Sequence, residues 1–189
     1  MTILGNPVSG SPGASSANVD RLEAGGPYTA AANATMNSIS VYANAVSGTV
    51  NLTMGVYRSD GTLLATSAEF AIGTTPTTYT ASISGAITGG HDYYLALAVG
   101  GDISLFYEID PPDGKYNTAI TYVGGTLPST LPSMTNFGAN LQRFFSLDVT
   151  DGGAGEGGGG GGGGGGGIVT FNPPLGGGFN RGINGGMQG

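Results

Sequence analysis

Apolar and polar residues alternate with a period of two through most of the chain between residues 27 and 150. The clearest case is Thr49–Arg58, in which Val50, Leu52, Met54 and Val56 share one face. Such alternation predicts a half-buried strand, because successive side chains of a strand point to opposite faces. Similar runs recur in the segments 37–45, 62–68, 77–83, 92–99, 102–108, 117–123 and 141–149.

Turn signals separate these runs. Ser59-Asp60-Gly61 and Gly89-Gly90-His91 carry the residues that tight turns favour, and no segment has a helical period. Short strands at regular spacing predict one antiparallel β-sandwich or barrel over residues 27–150. Arg143 is the one discord, because it occupies the apolar register of the last strand. It indicates a sheet edge, a partner surface or a different register.

The two ends of the chain differ in composition from this central part. Residues 1–26 mix Gly, Pro, Ser and Ala, which favours an extended N-terminal arm or a disordered terminus. Residues 151–167 contain eleven consecutive glycines, Gly157–Gly167, and are predicted to be a linker. Residues 168–189 are Gly-rich and apolar, which predicts a docking tail that binds a neighbour by strand addition or in a groove, with a disordered, adhesive end as the alternative. Its candidate docking residues are Ile168, Val169, Phe171, Leu175, Phe179 and Ile183.

Charge and cysteine content exclude several classes of protein. The chain has 12 acidic and 5 basic residues, a net charge of −7, so neither nucleic acid nor an anionic membrane is an expected partner. There is no cysteine, which excludes disulfides and thiolate metal sites. The first seven residues lack the pattern of a signal peptide, which favours a virion protein released by lysis over a secreted protein.

One stretch resembles a known family. The run from Ser38 to Ala68, SISVYANAVSGTVNLTMGVYRSDGTLLATSA, resembles one half of the β-jelly-roll modules found in carbohydrate-binding modules and in phage and bacterial surface proteins. The run Ile87–Ala96, in which a Gly turn leads into a Tyr-Leu-Ala strand, is similar to their second half. The resemblance covers about residues 30–150. It implies a jelly-roll β-sandwich, and such modules often carry a structural calcium.

Few residues offer chemistry. Glu108, Asp110 and Asp113 lie in a Pro-containing acidic stretch and form a candidate calcium site, with solvated turn acids as the alternative. Asp102 and Glu108 would lie about 20 Å apart along one strand, too far for the carboxylate pair of a glycosidase. No nucleophile motif accompanies the single histidine, and no other cofactor is indicated. Tyr57, Tyr94 and Tyr116 are candidate contacts for a glycan or a protein partner, with core packing as the alternative.

These observations predict a non-enzymatic structural protein of a multimeric assembly. The expected role is a phage virion accessory, either a capsid decoration or head-fibre protein or a tail-fibre component. Its expected partners are sister chains or other virion proteins, with surface glycans as further candidates. The alternatives are a carbohydrate-binding module of an adhesin or secreted protein and a subunit of an extracellular filament.

Overall fold

The computed structural model describes residues 2–8, 15–18, 21–109, 116–121, 126–133, 135–136 and 141–152. These residues form strands, turns and loops. Among them, no helix has the length and apolar character needed to cross a membrane. The strands are β1 (Thr2–Gly5), β2 (Ser15–Asn18), β3 (Arg21–Thr29), β4 (Ala34–Ala45), β5 (Val50–Arg58), β6 (Leu63–Thr66), β7 (Phe70–Ile72), β8 (Thr77–Ile87), β9 (Asp92–Val99), β10 (Ile103–Ile109), β11 (Tyr116–Thr121), β12 (Thr135–Asn136), β13 (Leu141–Arg143) and β14 (Phe145–Asp151).

The first sheet is organised around β4, the longest strand. One edge of β4 pairs with β8, and the other pairs with β14 over residues 34–41 and with β10 over residues 43–45. β1 pairs with the far edge of β14, whereas β2 and β13 pair with β10. All of these pairings are antiparallel. β10 therefore pairs with β4 only at residues 43–45 of β4. From residue 41 of β4 toward its start, the two strands separate, and residues 141–145 lie between them.

The second sheet has the order β12-β11-β3-β9-β5-β6, and β7 also pairs with β5. Buried side chains from both sheets form one hydrophobic cluster, so the two antiparallel sheets pack as a β-sandwich. The face of β5 predicted from alternation is confirmed, because Leu52, Met54 and Val56 have no exposed surface and Val50 is 8% exposed. In β9, the alternating residues from Tyr93 to Val99 are likewise buried.

The prediction of an extended arm over residues 1–26 is wrong for the part that the structure describes. β1 and β2 pair in the first sheet, and β3 lies inside the second sheet between β11 and β9. Period-2 alternation is hidden in β3 because Leu22 and its neighbours are buried on both faces. The Gly25-Gly26-Pro27 sequence, typical of a turn, is accommodated within β3 by a register shift between Gly25 and Tyr28.

Arg143 is neither at an exposed edge nor on a partner surface. Its side chain is buried between the sheets, and its Nε donates a 3.0 Å hydrogen bond to Oε2 of Glu23, which is itself fully buried. Nη2 lies 3.2 Å from the other carboxylate oxygen, and Nη1 donates to the Leu105 carbonyl at 2.6 Å. Arg21 also donates to Glu23, at 3.0 Å. The guanidinium lies 5.1 Å from the centre of the Tyr107 ring. This buried ion cluster joins β3 of the second sheet to β13, which lies between β4 and β10 in the first sheet.

Candidate functional site

Three connecting segments meet at one end of the sandwich. They are the turn between β5 and β6 (58–62), the turn between β8 and β9 (88–91) and the segment 126–133. The Ser59 amide donates to the Asp92 carbonyl at 3.0 Å, and the Leu131 amide donates to the Gly61 carbonyl at 2.7 Å. These backbone contacts hold the three segments together, so the side chains they carry face shared clefts.

The turn 58–62 is fixed by its own hydrogen bonds. The Arg58 amide donates to the Thr62 carbonyl at 3.0 Å, and Gly61, at a φ of +84°, donates to the Arg58 carbonyl at 2.9 Å. Glycine adopts this left-handed conformation without steric cost. The Thr62 amide donates to Oδ1 of Asp60 at 2.8 Å. The hydrogen bonds from the Thr62 amide and hydroxyl lower the pKa of the exposed Asp60 carboxyl from its ordinary value of 3.8.

On one side of this turn lies a polar cleft of about 370 Å³, here called the acidic cleft. Oδ1 of Asp92 accepts a 2.6 Å hydrogen bond from the Thr29 hydroxyl, which orients the carboxylate. The Tyr93 hydroxyl accepts from the Thr88 amide at 2.8 Å. Two carboxylates, a guanidinium and an imidazole therefore surround the cleft and can exchange hydrogen bonds with a polar ligand. Its lining residues are Arg58, Ser59, Asp60, Thr88, His91, Asp92 and Tyr93.

On the other side of the turn lies a cleft of about 320 Å³, here called the tyrosine cleft. The Tyr94 ring and the side chains of Leu131 and Pro132 give it an apolar wall. Ser59 and Asp60 line both clefts, so the tip of the turn is the partition between them. An aromatic and apolar wall beside polar groups suits a ligand with one apolar face and hydroxyl or amide groups at its rim.

The three tyrosines predicted as contact residues have different environments. Tyr94 lines the tyrosine cleft. Tyr57 is fully buried, and its hydroxyl donates to the Pro128 carbonyl at 2.7 Å. The prediction that Tyr57 contacts a ligand or partner is therefore wrong, because segment 126–133 covers the outer face of β5 at this point. Tyr116 lies in β11, but its side chain is outside the described part of the chain.

The candidate calcium site lies almost entirely outside the described part of the chain. Glu108 belongs to β10, while its side chain and the residues Asp110 and Asp113 lie outside the described part. Among the residues that the structure describes, no group of three or more His, Asp or Glu side chains is positioned to hold a metal ion. The six docking residues of the tail, Ile168, Val169, Phe171, Leu175, Phe179 and Ile183, also lie outside the described part.

Sequence reasoning missed the charged residues of the two clefts. It assigned Ser59-Asp60-Gly61 and Gly89-Gly90-His91 to turns correctly, but it had no means of placing them side by side. The β5–β9 pairing brings them together, because Arg58 lies opposite Tyr93. The available signal was that both turns lie at the ends of strands and carry ionisable residues.

No protein-family model matches the chain, and no curated protein sequence is significantly similar to it.

Proposed function

We propose that this chain is a non-enzymatic structural subunit of a multimeric assembly. The proposed assembly is a phage virion, in which the subunit is a capsid decoration, head-fibre or tail-fibre protein. The β-sandwich is the displayed part, and the Gly-rich extension tethers it to sister chains or to other virion proteins.

The observation that carries this proposal is the order of segments after the last strand. The Gly152 amide donates to the Asn33 carbonyl at 2.9 Å, so the last described strand is held to the sandwich up to this residue. Eleven glycines follow at 157–167, and then come the apolar residues that begin with Ile168. A glycine run has no side chain to bury, whereas apolar residues gain free energy when a partner covers them. As a coil, eleven glycines span roughly 18–20 Å, which suits a tether between a folded module and a docking site.

We further propose that the sandwich is a jelly roll. Eight strands support this: β2-β10-β4-β8 form one four-stranded set, and β3-β9-β5-β6 form the other. Consecutive strands along the chain lie in different sets, except β5 and β6, which lie in the same set. This alternation is the order expected of the two Greek keys of a jelly roll. β14 and β1 are not part of this eight-stranded arrangement. β14 pairs with β4 over the residues that β10 does not pair with, and β1 pairs with the outer edge of β14.

Substitutions within the tail test the tethering role. We expect Ile168→Ser/Phe171→Ser to weaken assembly at least tenfold, because two buried large side chains contribute about 3–6 kcal/mol. The matched control is Ile3→Ser, since Ile3 is 54% exposed on β1 and its loss should leave assembly unchanged. Assembly would be followed by light scattering of the purified full chain and by incorporation into native particles. Normal assembly of the tail variant would contradict the proposal.

The two clefts support a second candidate function, a carbohydrate-binding module. A sugar ring can place its C–H face on Tyr94 while its hydroxyls donate to the carboxylate of Asp60, which lines the same cleft. The chain contains no tryptophan, so Tyr94 would be the stacking residue. A glycan array comparing the natural chain with Tyr94→Ala tests this function. Tyr42→Ala is the control, because Tyr42 packs edge-on against Phe106, away from the clefts.

A further inference from the structure

β8 forms an outer edge of the first sheet. All of its register partners lie on β4, from Thr77 opposite Ala43 to Ile87 opposite Ala34. No described residue pairs with the other edge of β8. That edge presents a row of backbone N–H and C=O groups over a strand of 11 residues, which is a template for another strand.

β8 lacks most of the devices that block such an edge. Natural edge strands are protected by Lys and other charges, by Pro, by short length or by β-bulges, and of these β8 has only a register shift against β4 between Ser82 and Gly85. β8 reads TTYTASISGAI, which contains no charged residue and no proline. The outward-facing Thr78, Thr80 and Ser82 are exposed. The chain has a net charge of −7, so two copies repel each other in general. β8 carries no charge, so two copies can approach at this strand without repulsion between its side chains.

The hydrophobic core is also incompletely covered along this side of the sandwich. Six partly buried hydrophobic residues pack against the main core, and five of them lie on β6, β7 and β8. A neighbour at this edge would cover apolar surface as well as backbone groups. The five residues are Leu64, Ala65, Phe70, Tyr79 and Ala81.

The edge is also held in a defined position. The Tyr79 hydroxyl accepts from the Gly73 amide at 3.1 Å and donates to the Thr75 carbonyl at 3.2 Å. The Thr80 and Ser40 hydroxyls are 2.8 Å apart across the β4–β8 pair. A preformed edge of this kind loses little conformational freedom when a second strand binds.

We propose that β8 is a self-association surface at which β8 of a second copy adds in the antiparallel direction. This inference rests on the proposed role as a subunit of a homomeric assembly and names one of its contacts. A two-fold axis makes the same uncharged strand serve both copies, so no second complementary surface is required. Opposed residues of antiparallel strands share a face. The exposed Thr and Ser side chains therefore meet one another on one face, and Tyr79 and Ala81 meet their counterparts on the other.

The size of the surface sets the expected strength. Eleven residues at about 3.4 Å each give an edge of about 37 Å, and a contact height of about 10 Å gives roughly 700–800 Å² for the two copies together. That area is below the range of about 1,200–2,000 Å² for stable complexes, so the isolated pair should be weak. We expect it to form at concentrations on the order of 100 µM and to persist where an assembly concentrates the subunits.

Charge substitutions test the proposal without assuming one register. Thr78→Lys/Ser82→Lys places like charges on both edges, and we expect at least tenfold weaker self-association of the full chain in sedimentation velocity. Thr78→Glu/Ser82→Glu should have the same effect. A 1:1 mixture of the two variants should regain association, because opposite charges then face each other. Ser47→Lys/Ser129→Lys is the control, since it adds the same charge at exposed positions that lie on neither β8 nor its partner strand β4.

The outcomes separate this inference from the proposed function. If the full chain associates, deletion of residues 153–189 abolishes association and the β8 variants behave like the natural chain, then the β8 surface is refuted and the tether stands. If only the β8 variants change the association, the β8 surface stands and the tether is refuted. A full chain that remains monomeric at all concentrations refutes both. Circular dichroism of each variant would establish that the sandwich remains folded.

Discussion

Removal of Glu23 should destabilise the sandwich far more than removal of an exposed charge. Glu23 is fully buried and receives hydrogen bonds from Arg143 at 3.0 and 3.2 Å. Glu23→Leu leaves a guanidinium in the interior without its counter-charge, and breaking a buried pair in this way costs about 3–5 kcal/mol. For a domain of this size that corresponds to a loss of roughly 10 °C in Tm.

The cost should be unequal for the two partners. Arg143→Met leaves Glu23 with a second cation, because Arg21 donates to it at 3.0 Å and is partly exposed to solvent. We therefore expect Arg143→Met to cost roughly 2–3 kcal/mol, less than Glu23→Leu. The double variant Glu23→Leu/Arg143→Met should be more stable than Glu23→Leu alone, because no unpaired charge is then left in the core.

Urea unfolding, followed by circular dichroism and tyrosine fluorescence, measures these differences in the free energy of unfolding. The comparison requires that the variants and the natural chain have the same m-value. Arg58→Met is the matched control, because Arg58 is exposed, and it should change the free energy of unfolding by less than about 0.5 kcal/mol. The reasoning is refuted if Glu23→Leu costs less than about 1 kcal/mol or if the two single effects simply add in the double variant.

Three further predictions concern the cleft end of the sandwich. Tyr57→Phe should cost about 1–3 kcal/mol in urea unfolding, because it leaves the Pro128 carbonyl without its donor; an unchanged midpoint would contradict this. Gly55→Ala should cost about 1–3 kcal/mol, because the new methyl group would lie 2.7 Å from a backbone carbonyl oxygen of β6. A variant as stable as the natural chain would refute that close approach. Asp60→Asn should lower the unfolding midpoint at pH 7. The lowered pKa means that the ionised carboxylate stabilises the fold above its unfolded pKa and that this contribution is lost as the pH falls through the folded pKa. The difference between Asp60→Asn and the natural chain should therefore shrink as the pH falls through the lowered pKa of Asp60, and a difference that stays constant down to acid pH would exclude ionisation of Asp60 as its cause.

The inward faces of several strands could be predicted from the sequence, whereas the cover on their outer faces could not. β5 showed its inward face as Val50, Leu52, Met54 and Val56 because that face is uniformly apolar. The other face of β5 is also buried around Tyr57, but the cover comes from a loop more than sixty residues later in the chain. The alternation of residues within β5 gives no information about a contact with such a distant part of the chain.

The buried ion cluster shows a second limit. Arg143 was visible as a discord in the pattern, yet its partner Glu23 lies 120 residues earlier in a stretch read as an arm. Two charges that pair across the core each look like a surface residue in their own segment. The same reason hid the clefts, since Asp60 and Asp92 become neighbours through the pairing of β5 with β9.

The central claim is that a self-sufficient sandwich depends on its extension for assembly. The most direct measurement compares the mass and thermal unfolding of the full chain and of a chain ending at Gly152, by light scattering and circular dichroism under the same conditions. The account predicts the same cooperative unfolding for both and assembly for the full chain alone. An equal assembly state for both chains, or loss of the folded sandwich in the shorter one, would contradict it.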